Sequence, residues 1–440
     1  MNEEDHTRLE EFRQFRREIR KSTEYLIVGI DVAKDRHHAF FGMATGKALF
    51  KRLVFENDIE GFRKLLVQAE AMKVQGGLKK VVFGLEPTGN YHKPLGEHLM
   101  RCGQEVVLVS GVAAHENRKT LDGRWDSNDT RDAANVADLI SQGKCLFYEF
   151  SVGGLQDLRN LLSLKRRLKR QEHGYRVRIR NHLVAKYFPE LDRYFEQSEK
   201  MSLAVVRWCL DPSVIAGWEY SKFVEMVSSG QRRLSQENRL RAIWKMAVDS
   251  VGCEVGPAVA FEVQVMVEGL KQIREGIQGI EEKIDEVCSQ FPEYGFLLSI
   301  PGFGLDVSAK VLGAVGDPFR FQSGKQVLKM AGLDLSAERS GKTSPSAIPV
   351  ISKKGKADLR YALYQAAFIA STRNQDFIVY YTHKLRGRER EPGIKTKMRV
   401  KLSAKLLIIA WTLMKEKESF NPSYLRVEFQ PFSAGAGRES

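Results

Sequence analysis

The sequence contains few cysteines, and none of them has the spacing of a metal site. Its five cysteines are far apart, and no Cys-x-x-Cys or mixed cysteine–histidine cluster occurs; they are Cys102, Cys145, Cys209, Cys253 and Cys288. Structural zinc sites need four closely spaced ligands, and a disulfide framework needs many cysteines in a short chain. The sequence therefore predicts neither feature, and so low a cysteine content suits a reducing compartment.

Long apolar segments are also missing. A membrane-spanning helix needs about 18 or more consecutive apolar residues. The nearest approach, residues 402–414, is interrupted by Lys405. Residues 1–22 are highly charged and lack an apolar centre, which excludes a secretory signal peptide. We therefore expect a cytoplasmic protein with no membrane partner.

Positive charge is what the sequence has in excess. The 440 residues include 69 Lys and Arg against 55 Asp and Glu, for a formal net charge of +14 and a pI near 9.4. A surplus of this size favours a polyanionic partner, and nucleic acid is the commonest one. A basic surface that contacts only solvent would give the same net charge. The length allows two or three domains with full hydrophobic cores.

The first 150 residues carry the pattern of an α/β domain. An apolar run that ends in Asp31 and a second one that ends in Glu86 predict two buried strands. Between them lie two short strands with the spacing of an antiparallel meander. This order is that of an RNase H-like (RuvC-like) fold. The predicted strands are residues 25–31, 37–43, 48–55, 80–86 and 105–109, and the predicted helices are residues 59–72 and 91–101, with further helices to about 142.

Four acidic residues take defined places in this predicted domain. Asp31 and Glu86 end strands that are neighbours in an RNase H-like sheet, and Asp129 and Asp132 share one face of a helix. Four converging carboxylates repel unless divalent metal neutralises them. Two Mg²⁺ ions about 4 Å apart, with Mn²⁺ as a substitute, are the usual solution for phosphodiester cleavage. Asp129 and Asp132 could instead be helix-capping and first-turn acids, and Asp126 with Asp129 forms the same spacing.

The middle of the chain is predicted to be helical. Residues 155–188 form a long basic stretch whose candidate nucleic-acid contacts are Lys165, Arg166, Arg167 and Arg170. A solvated basic helix face is the alternative. A heptad seam follows, which predicts a coiled coil or one amphipathic helix in a bundle, paired with the basic stretch or with a second subunit. Its members are Val263, Met266, Leu270, Ile273, Ile277, Ile280, Ile284 and Val287.

A third, mainly α unit begins after Pro292. The I-P-G-F-G motif (300–304) opens a helix and is similar to half of a helix-hairpin-helix, whose backbone N–H groups can hold a phosphate. A loop-rich stretch (331–352) leads through Lys353 and Lys354 into a helix over residues 357–371. A basic segment (384–401) precedes a last apolar helix that ends near Met414. The tail that follows is expected to be extended or disordered.

The predicted organisation has five parts. They are a charged helical arm (1–23), a RuvC-like DEDD domain (24–150), a helical coiled-coil region (151–291), a C-terminal domain (292–420) and a tail (421–440).

Several motifs in this order resemble the DEDD-type insertion-sequence transposases related to the Piv site-specific invertase. In the first domain they are G-I-D-V-A-K (29–34), G-L-E-P-T-G-N-Y (84–91) and N-D-T-R-D-A (128–133). Later in the chain they are I-P-G-F-G (300–304), G-D-P-F (316–319), A-G-L (331–333), R-S-G-K (339–342) and I-S-K-K-G-K-A-D-L-R (351–360). The resemblance covers residues 25–142 and 295–375.

This resemblance implies a transposase mechanism. The four acids that hold magnesium would be Asp31, Glu86, Asp129 and Asp132, and Ser340 would be the nucleophile that becomes joined to a DNA 5′ phosphate. Members of this family form composite active sites in which the serine comes from another subunit, which implies a homo-oligomer, a dimer or a tetramer. Many are guided by a structured bridge RNA that pairs with donor and target DNA.

The chemistry of strand exchange favours a serine on independent grounds. Hydrolysis discards the phosphodiester energy, whereas a covalent phosphoserine conserves it, so strands can be rejoined without ATP. Arg339 and Lys342 flank Ser340 and could stabilise the phosphoryl charge. Ser344 and Ser346 lie in the same loop, and a serine before glycine is also a common turn residue. The alternatives are a hydrolytic RuvC-like nuclease or junction resolvase, and a non-catalytic nucleic-acid-binding protein.

Overall fold

The structure, a computed structural model, describes residues 3–121, 129–149, 153–195, 199–228, 233–336 and 350–425. It divides into two units, residues 1–152 and residues 153–440. Among the described residues, no helix has both the length and the apolar composition that crossing a membrane requires.

A six-stranded mixed sheet forms the centre of the first unit, with the strand order β3-β2-β1-β4-β5-β6. The arrangement is compatible with the predicted RNase H-like fold. Its strands are β1 (Tyr25–Asp31), β2 (Arg36–Met43), β3 (Ala48–Glu56), β4 (Lys80–Leu85), β5 (Glu105–Leu108) and β6 (Leu146–Phe147). Its helices are α1 (Glu3–Glu18), α2 (Ile59–Gln75), α3 (His92–Arg101), α4 (Gly111–Leu121) and α5 (Asp129–Ser141).

The central strand β1 is buried on both faces. Leu26, Val28 and Ile30 point to one apolar core, whereas Tyr25 and Ile27 point to a second core on the other side of the sheet. Alternate residues of a strand face opposite sides, so a strand covered on both faces must be apolar throughout. This requirement explains the continuous apolar run in the sequence.

Strand β1 pairs antiparallel with β2 and parallel with β4. The expectation that the strands ending at Asp31 and Glu86 are neighbours is therefore confirmed. The register aligns Ile30 with Leu85, one residue before each acid.

Helix α1 packs against the sheet and also covers the end of α5. Phe15 and Ile19 are buried among the residues of the second core. The Arg16 Nε donates to the Gly143 carbonyl at 3.0 Å, and the Arg20 Nε donates to the Gln142 carbonyl at 3.0 Å. These carbonyls follow the last turn of α5, where cations are favoured because the helix ends in unsatisfied carbonyl groups.

We expect the double substitution Arg16→Met, Arg20→Met to lower the free energy of unfolding by about 1 to 2 kcal/mol, because two charged hydrogen bonds are lost. Urea titration of the purified protein measures this change. The control is Arg17→Met, since the Arg17 Nε donates only to the Arg13 carbonyl of its own helix. Equal stability of the double variant and the control would show that α1 does not secure the end of α5.

The second unit is helical and contains two apolar cores. One core gathers Ile179, helices α9 to α12 and the first half of α13, so the described helices between residues 190 and 260, to which the sequence assigns no role, pack together. The other gathers the second half of α13 with the helices that follow. The helices up to α13 are α6 (Gly154–Arg178), a π-helical turn (Ile179–Val184), α7 (Ala185–Tyr187), a 3₁₀ turn (Pro189–Leu191), α8 (Asp192–Phe195), α9 (Glu199–Cys209), α10 (Pro212–Ala216), α11 (Tyr220–Val227), α12 (Leu234–Val248) and α13 (Pro257–Cys288).

The remaining elements build the C-terminal part of this unit. They are α14 (Pro292–Leu298), α15 (Leu305–Val315), a 3₁₀ turn (Pro318–Arg320), α16 (Gly324–Ala331), β7 (Leu335–Ser336), β8 (Val350–Ile351), α17 (Ala357–Arg373), α18 (Gln375–Leu385), α19 (Ile394–Glu416) and a 3₁₀ turn (Pro422–Leu425). The I-P-G-F-G motif joins α14 to α15, as a helix-hairpin-helix requires.

The heptad seam of α13 is buried or half-buried along its length, and α13 lies antiparallel to α6. The pairs Lys165–Glu281 and Glu172–Arg274 establish the direction, because the numbers rise along α6 as they fall along α13. The seam thus pairs with the basic helix of the same chain. A supercoiled geometry for this pair stays a prediction.

One expectation about the C-terminal residues is wrong, and a second is contradicted only at residues 422–425. Helix α19 begins at Ile394, inside the basic segment that was expected to precede it. Ile394, Met398 and Leu402 are buried at a spacing of four, so this segment already has a core-facing stripe. The tail is not extended from its first residues: Leu425, in the last 3₁₀ turn, is 5% exposed. Residues 426–440 lie outside the described part.

Candidate active site

Asp31 and Glu86 meet at the edge of the sheet where β1 and β4 end, which we call the carboxyl edge. Asp31 is the last residue of β1, and Glu86 directly follows β4. The two strands are parallel and hydrogen-bonded, and neighbouring strands lie about 4.8 Å apart. Both acids are partly buried. The predicted proximity of these two carboxylates follows from the register.

Helix α5 reaches the same edge because two glycines let it approach the sheet closely. Gly29 and Gly84 are register partners on β1 and β4. A Cβ on Gly29 would lie 2.2 Å from the Ala133 carbonyl oxygen, and one on Gly84 would lie 1.9 Å from the Ile140 Cδ1. At Gly29 the nearest atom belongs to the backbone of α5, so only glycine permits this close approach. It places Asp132, on the first turns of α5, beside the carboxyl edge.

Helix α4 supplies a cation to this acid. The Arg118 Nε lies 2.8 Å from the Asp132 Oδ1, although the two groups are poorly aligned for a hydrogen bond. The Asp132 side chain is 12% exposed. The Asn117 Nδ2 donates to the Asn135 Oδ1 at 2.8 Å, and the Asn135 Nδ2 donates to the Ala114 carbonyl at 2.8 Å. These bonds hold α4 and α5 together and position Arg118.

Glu86 shares the electrostatic environment of Asp132. Burial raises the pKa of Glu86; the positive charge of Arg118 opposes this shift, and the negative charge of Asp132 adds to it. A Cβ on Gly111 would lie 3.2 Å from the Glu86 Oε1, so the carboxyl group lies beside the start of α4. The Arg118 guanidinium thus acts on two of the four predicted acids. Sequence reasoning missed Arg118, because no periodicity marks a cation that pairs across two helices.

The other predicted catalytic residues are described only in part or not at all. Asp129 is the first residue of α5, but its side chain lies outside the described part. Ser340 and its neighbours Arg339 and Lys342 also lie outside the described residues. Within the described part, no three Asp, Glu, His or Cys side chains are grouped closely enough to hold a metal ion.

The two ends of the segment that contains Ser340 are held together. Ser336 of β7 pairs with Val350 of β8, so the two residues that flank the segment 337–349 lie next to each other. The Arg360 Nη1 donates to the Ala331 carbonyl at 3.0 Å, which ties the start of α17 to the end of α16. Lys353 and Lys354, the predicted nucleic-acid contacts that follow β8, are both exposed.

The four predicted basic contacts on α6 differ in their surroundings. Lys165 lies 2.7 Å from Asp306 and 3.0 Å from Glu281, and its side chain is 12% exposed, so its charge is balanced inside the unit. Arg166 is exposed and pairs with Asp358 at 3.1 Å. Arg167 and Arg170 are exposed, and neither forms an ion pair with any described residue. That these two arginines contact a phosphate backbone stays a prediction.

Comparison with known proteins assigns the chain to a family. A model of DEDD transposases of the IS110 type, described as transposase, matches residues 28–189, and a model described as Transposase IS116/IS110/IS902 family matches residues 294–382. Together the two matches span more than half of the chain.

The chain belongs to the IS110 family of DEDD transposases. It is similar to the insertion element IS110 uncharacterized 43.6 kDa protein of Streptomyces coelicolor, with 22% identity over 374 residues, 81% of this chain and 86% of the relative. The predicted family and the predicted DNA transposase activity are thus confirmed. The first match contains the four predicted acids, and the second contains Ser340.

Proposed function

We propose that this transposase cleaves and rejoins DNA strands through a covalent phosphoserine, with divalent metal held at the carboxyl edge. The observation that supports this most directly is the placement of Asp31, Glu86 and Asp132. Three acids distant in the sequence lie at or beside one edge of a sheet, inside the segment that matches the DEDD transposases. Asp129 begins the same helix as Asp132 and would complete the set.

The chemistry of these residues fits a divalent cation. Asp132 is buried, Glu86 is half-buried, and the negative charge of Asp132 adds to the rise in the pKa of Glu86. Carboxylate oxygens are the ligands that Mg²⁺ prefers, and Asp31, Glu86, Asp129 and Asp132 would supply them. Bound there, Mg²⁺ ions, two per site, would activate the attacking oxygen and stabilise the leaving oxygen, and Mn²⁺ would substitute.

Ser340 would perform the covalent step. Its Oγ would attack the scissile phosphorus, the bond from phosphorus to the 3′ oxygen would break, and the serine proton would end on the released 3′ hydroxyl. In the reverse sense, the 3′ hydroxyl of a new strand would attack the phosphoserine and restore the serine. Arg339 and Lys342 flank Ser340 and would stabilise the phosphoryl charge.

Recombination requires several nucleic-acid partners. We propose donor and target double-stranded DNA, together with a structured guide RNA that pairs with both. The exposed Arg166, Arg167, Arg170, Lys353 and Lys354 would contact phosphate backbones. Two duplexes need at least two active sites, so the working form would be a homo-oligomer, a dimer or a tetramer, in which the serine of one subunit completes the acidic site of another.

The decisive experiment is a search for a covalent protein–DNA adduct. Purified protein, Mg²⁺, co-purified RNA and end-labelled DNA that carries the element ends would be incubated and treated with protease. We expect a protease-sensitive adduct that Ser340→Ala abolishes, while the controls Ser344→Ala and Ser346→Ala keep it. Cleavage without any adduct, unaffected by Ser340→Ala, would instead identify a metal-dependent nuclease that acts by hydrolysis.

A further inference from the structure

The acidic site contains a cation, Arg118, which the comparison with the family does not identify. It lies on α4, an element that carries none of the predicted acids, and its Nε is 2.8 Å from the Asp132 Oδ1. Both atoms are inaccessible to solvent. A buried carboxylate without a compensating charge is strongly unfavourable. The contact with Arg118 therefore stabilises the protein when no metal is bound.

The position of Arg118 is imposed by the fold. The Asn117 Nδ2, one residue earlier on α4, donates to the Asp138 Oδ2 and the Asn135 Oδ1 of α5, each at 2.8 Å. The Asn135 Nδ2 in turn donates to the carbonyl of Ala114. The two helices are thus bonded through Ala114 and Asn117, just before Arg118, which fixes the backbone position from which the guanidinium reaches Asp132.

We propose that Arg118 is the built-in counter-ion of the metal-free acidic site, and that divalent metal displaces it from Asp132 on binding. This proposal rests on the proposed metal site. A guanidinium and a divalent ion cannot both lie against one buried carboxylate without strong repulsion, because like charges at about 4 Å interact by several kcal/mol at the effective dielectric of a protein. Arg118 therefore stabilises the protein before metal arrives and lowers its affinity for metal.

Loss of the Arg118 charge should therefore lower the stability of the metal-free protein and raise its affinity for metal. Arg118→Gln removes the charge and keeps a side chain of similar polarity. Without metal, the melting temperature should fall by about 5 °C, since Asp132 and Glu86 lose a neighbouring positive charge. The affinity for Mn²⁺ alone, followed by electron paramagnetic resonance of the free ion, should rise about tenfold, because Mn²⁺ no longer competes with a guanidinium. Saturating Mn²⁺ should close the gap in melting temperature.

Lys119→Gln is the matched control. Lys119 is the next residue on α4, is exposed, and lies 3.0 Å from Glu116 of its own helix, so both readouts should stay at the wild-type values. If Arg118→Gln does not fold without metal, Arg118→Lys decides. A lysine variant that folds supports a role for the charge, whereas one that is equally unfolded overturns the proposal.

Three outcomes separate the possibilities. Weaker Mn²⁺ binding by Arg118→Gln would mean that Arg118 aligns Asp132 as a ligand, which overturns the proposal. Unchanged stability and affinity would overturn it as well. If wild-type protein binds no Mn²⁺, the proposed metal site fails, and a double-mutant cycle of Arg118→Gln with Asp132→Asn still tests the counter-ion. Arg118→Gln should then lower the melting temperature less when Asp132 is neutral.

Discussion

Asp31→Asn is expected to reduce DNA cleavage by about 10³-fold or more while leaving the fold and DNA binding intact. The change keeps the size of the side chain and removes one negative charge from the carboxyl edge. Loss of a metal ligand at the reacting phosphate costs several kcal/mol of transition-state stabilisation, and about 4 kcal/mol corresponds to 10³-fold. Gel-based cleavage at saturating Mg²⁺ measures the rate, and an electrophoretic shift assay measures binding.

Asp35→Asn is the control for this prediction. Asp35 is an exposed acid only four residues further along the chain, beyond the end of β1. Its replacement changes the net charge by the same amount, so it should leave cleavage unchanged. Equal loss in both variants would point to a general charge effect. Loss of DNA binding or of folded protein in Asp31→Asn alone would point to a structural role for Asp31.

Gly29→Ala is expected to have the second largest effect, on stability and activity together. The added Cβ would lie 2.2 Å from the Ala133 carbonyl oxygen and 2.6 Å from the Ala137 backbone nitrogen. Both are backbone atoms, so α5 must move as a body. Such overpacking costs about 3 kcal/mol, and a shift of about 1 Å at Asp132 lowers the catalytic rate by about 10²-fold. Thermal unfolding and the cleavage assay measure the two effects.

Substitutions at two other glycines provide comparisons for this prediction. Gly84→Ala meets the Ile140 Cδ1 rather than backbone, and a side-chain methyl can rotate away, so its effect should be smaller than that of Gly29→Ala. Gly279→Ala is the control, because nothing lies within 4 Å of its Cβ position on α13. It should stabilise the helix by about 0.5 to 1 kcal/mol. A Gly29→Ala variant that behaves like Gly279→Ala would show that α5 is not held by this contact.

The first unit could be predicted well from local patterns. The strand expected over residues 25–31 is β1, and the helix expected over residues 59–72 is α2, which runs to Gln75. Buried strands require continuous apolar runs, and these are visible without knowledge of partners. The pairing of β1 with β4 follows from the resemblance to the RNase H-like order, which is a property of topology and not of any one strand.

Prediction failed where the signal was mixed. The first two turns of α19 carry Lys395, Lys397 and Arg399, which conceal the stripe of Ile394 and Met398. Lys165, predicted to contact nucleic acid with its basic neighbours, pairs with Asp306 and Glu281, and its contact with nucleic acid stays a prediction. A charged residue in a sequence can be exposed to solvent or paired with an acid. The sequence does not distinguish the two cases, because the partner comes from a distant element.

The strands of the first unit and the family could be predicted from the sequence, because apolar periodicity and short motifs are local properties of the chain; the catalytic role of the four acids stays a prediction. Only the packing of the folded chain shows which of these groups lie close to one another. Two glycines without side chains let α5 approach the sheet, the charge of Asp132 acts on Glu86, and Arg118 of another helix lies against Asp132. These contacts depend on distances across packed elements, and Coulomb and steric forces act through space, which no spacing along the chain records.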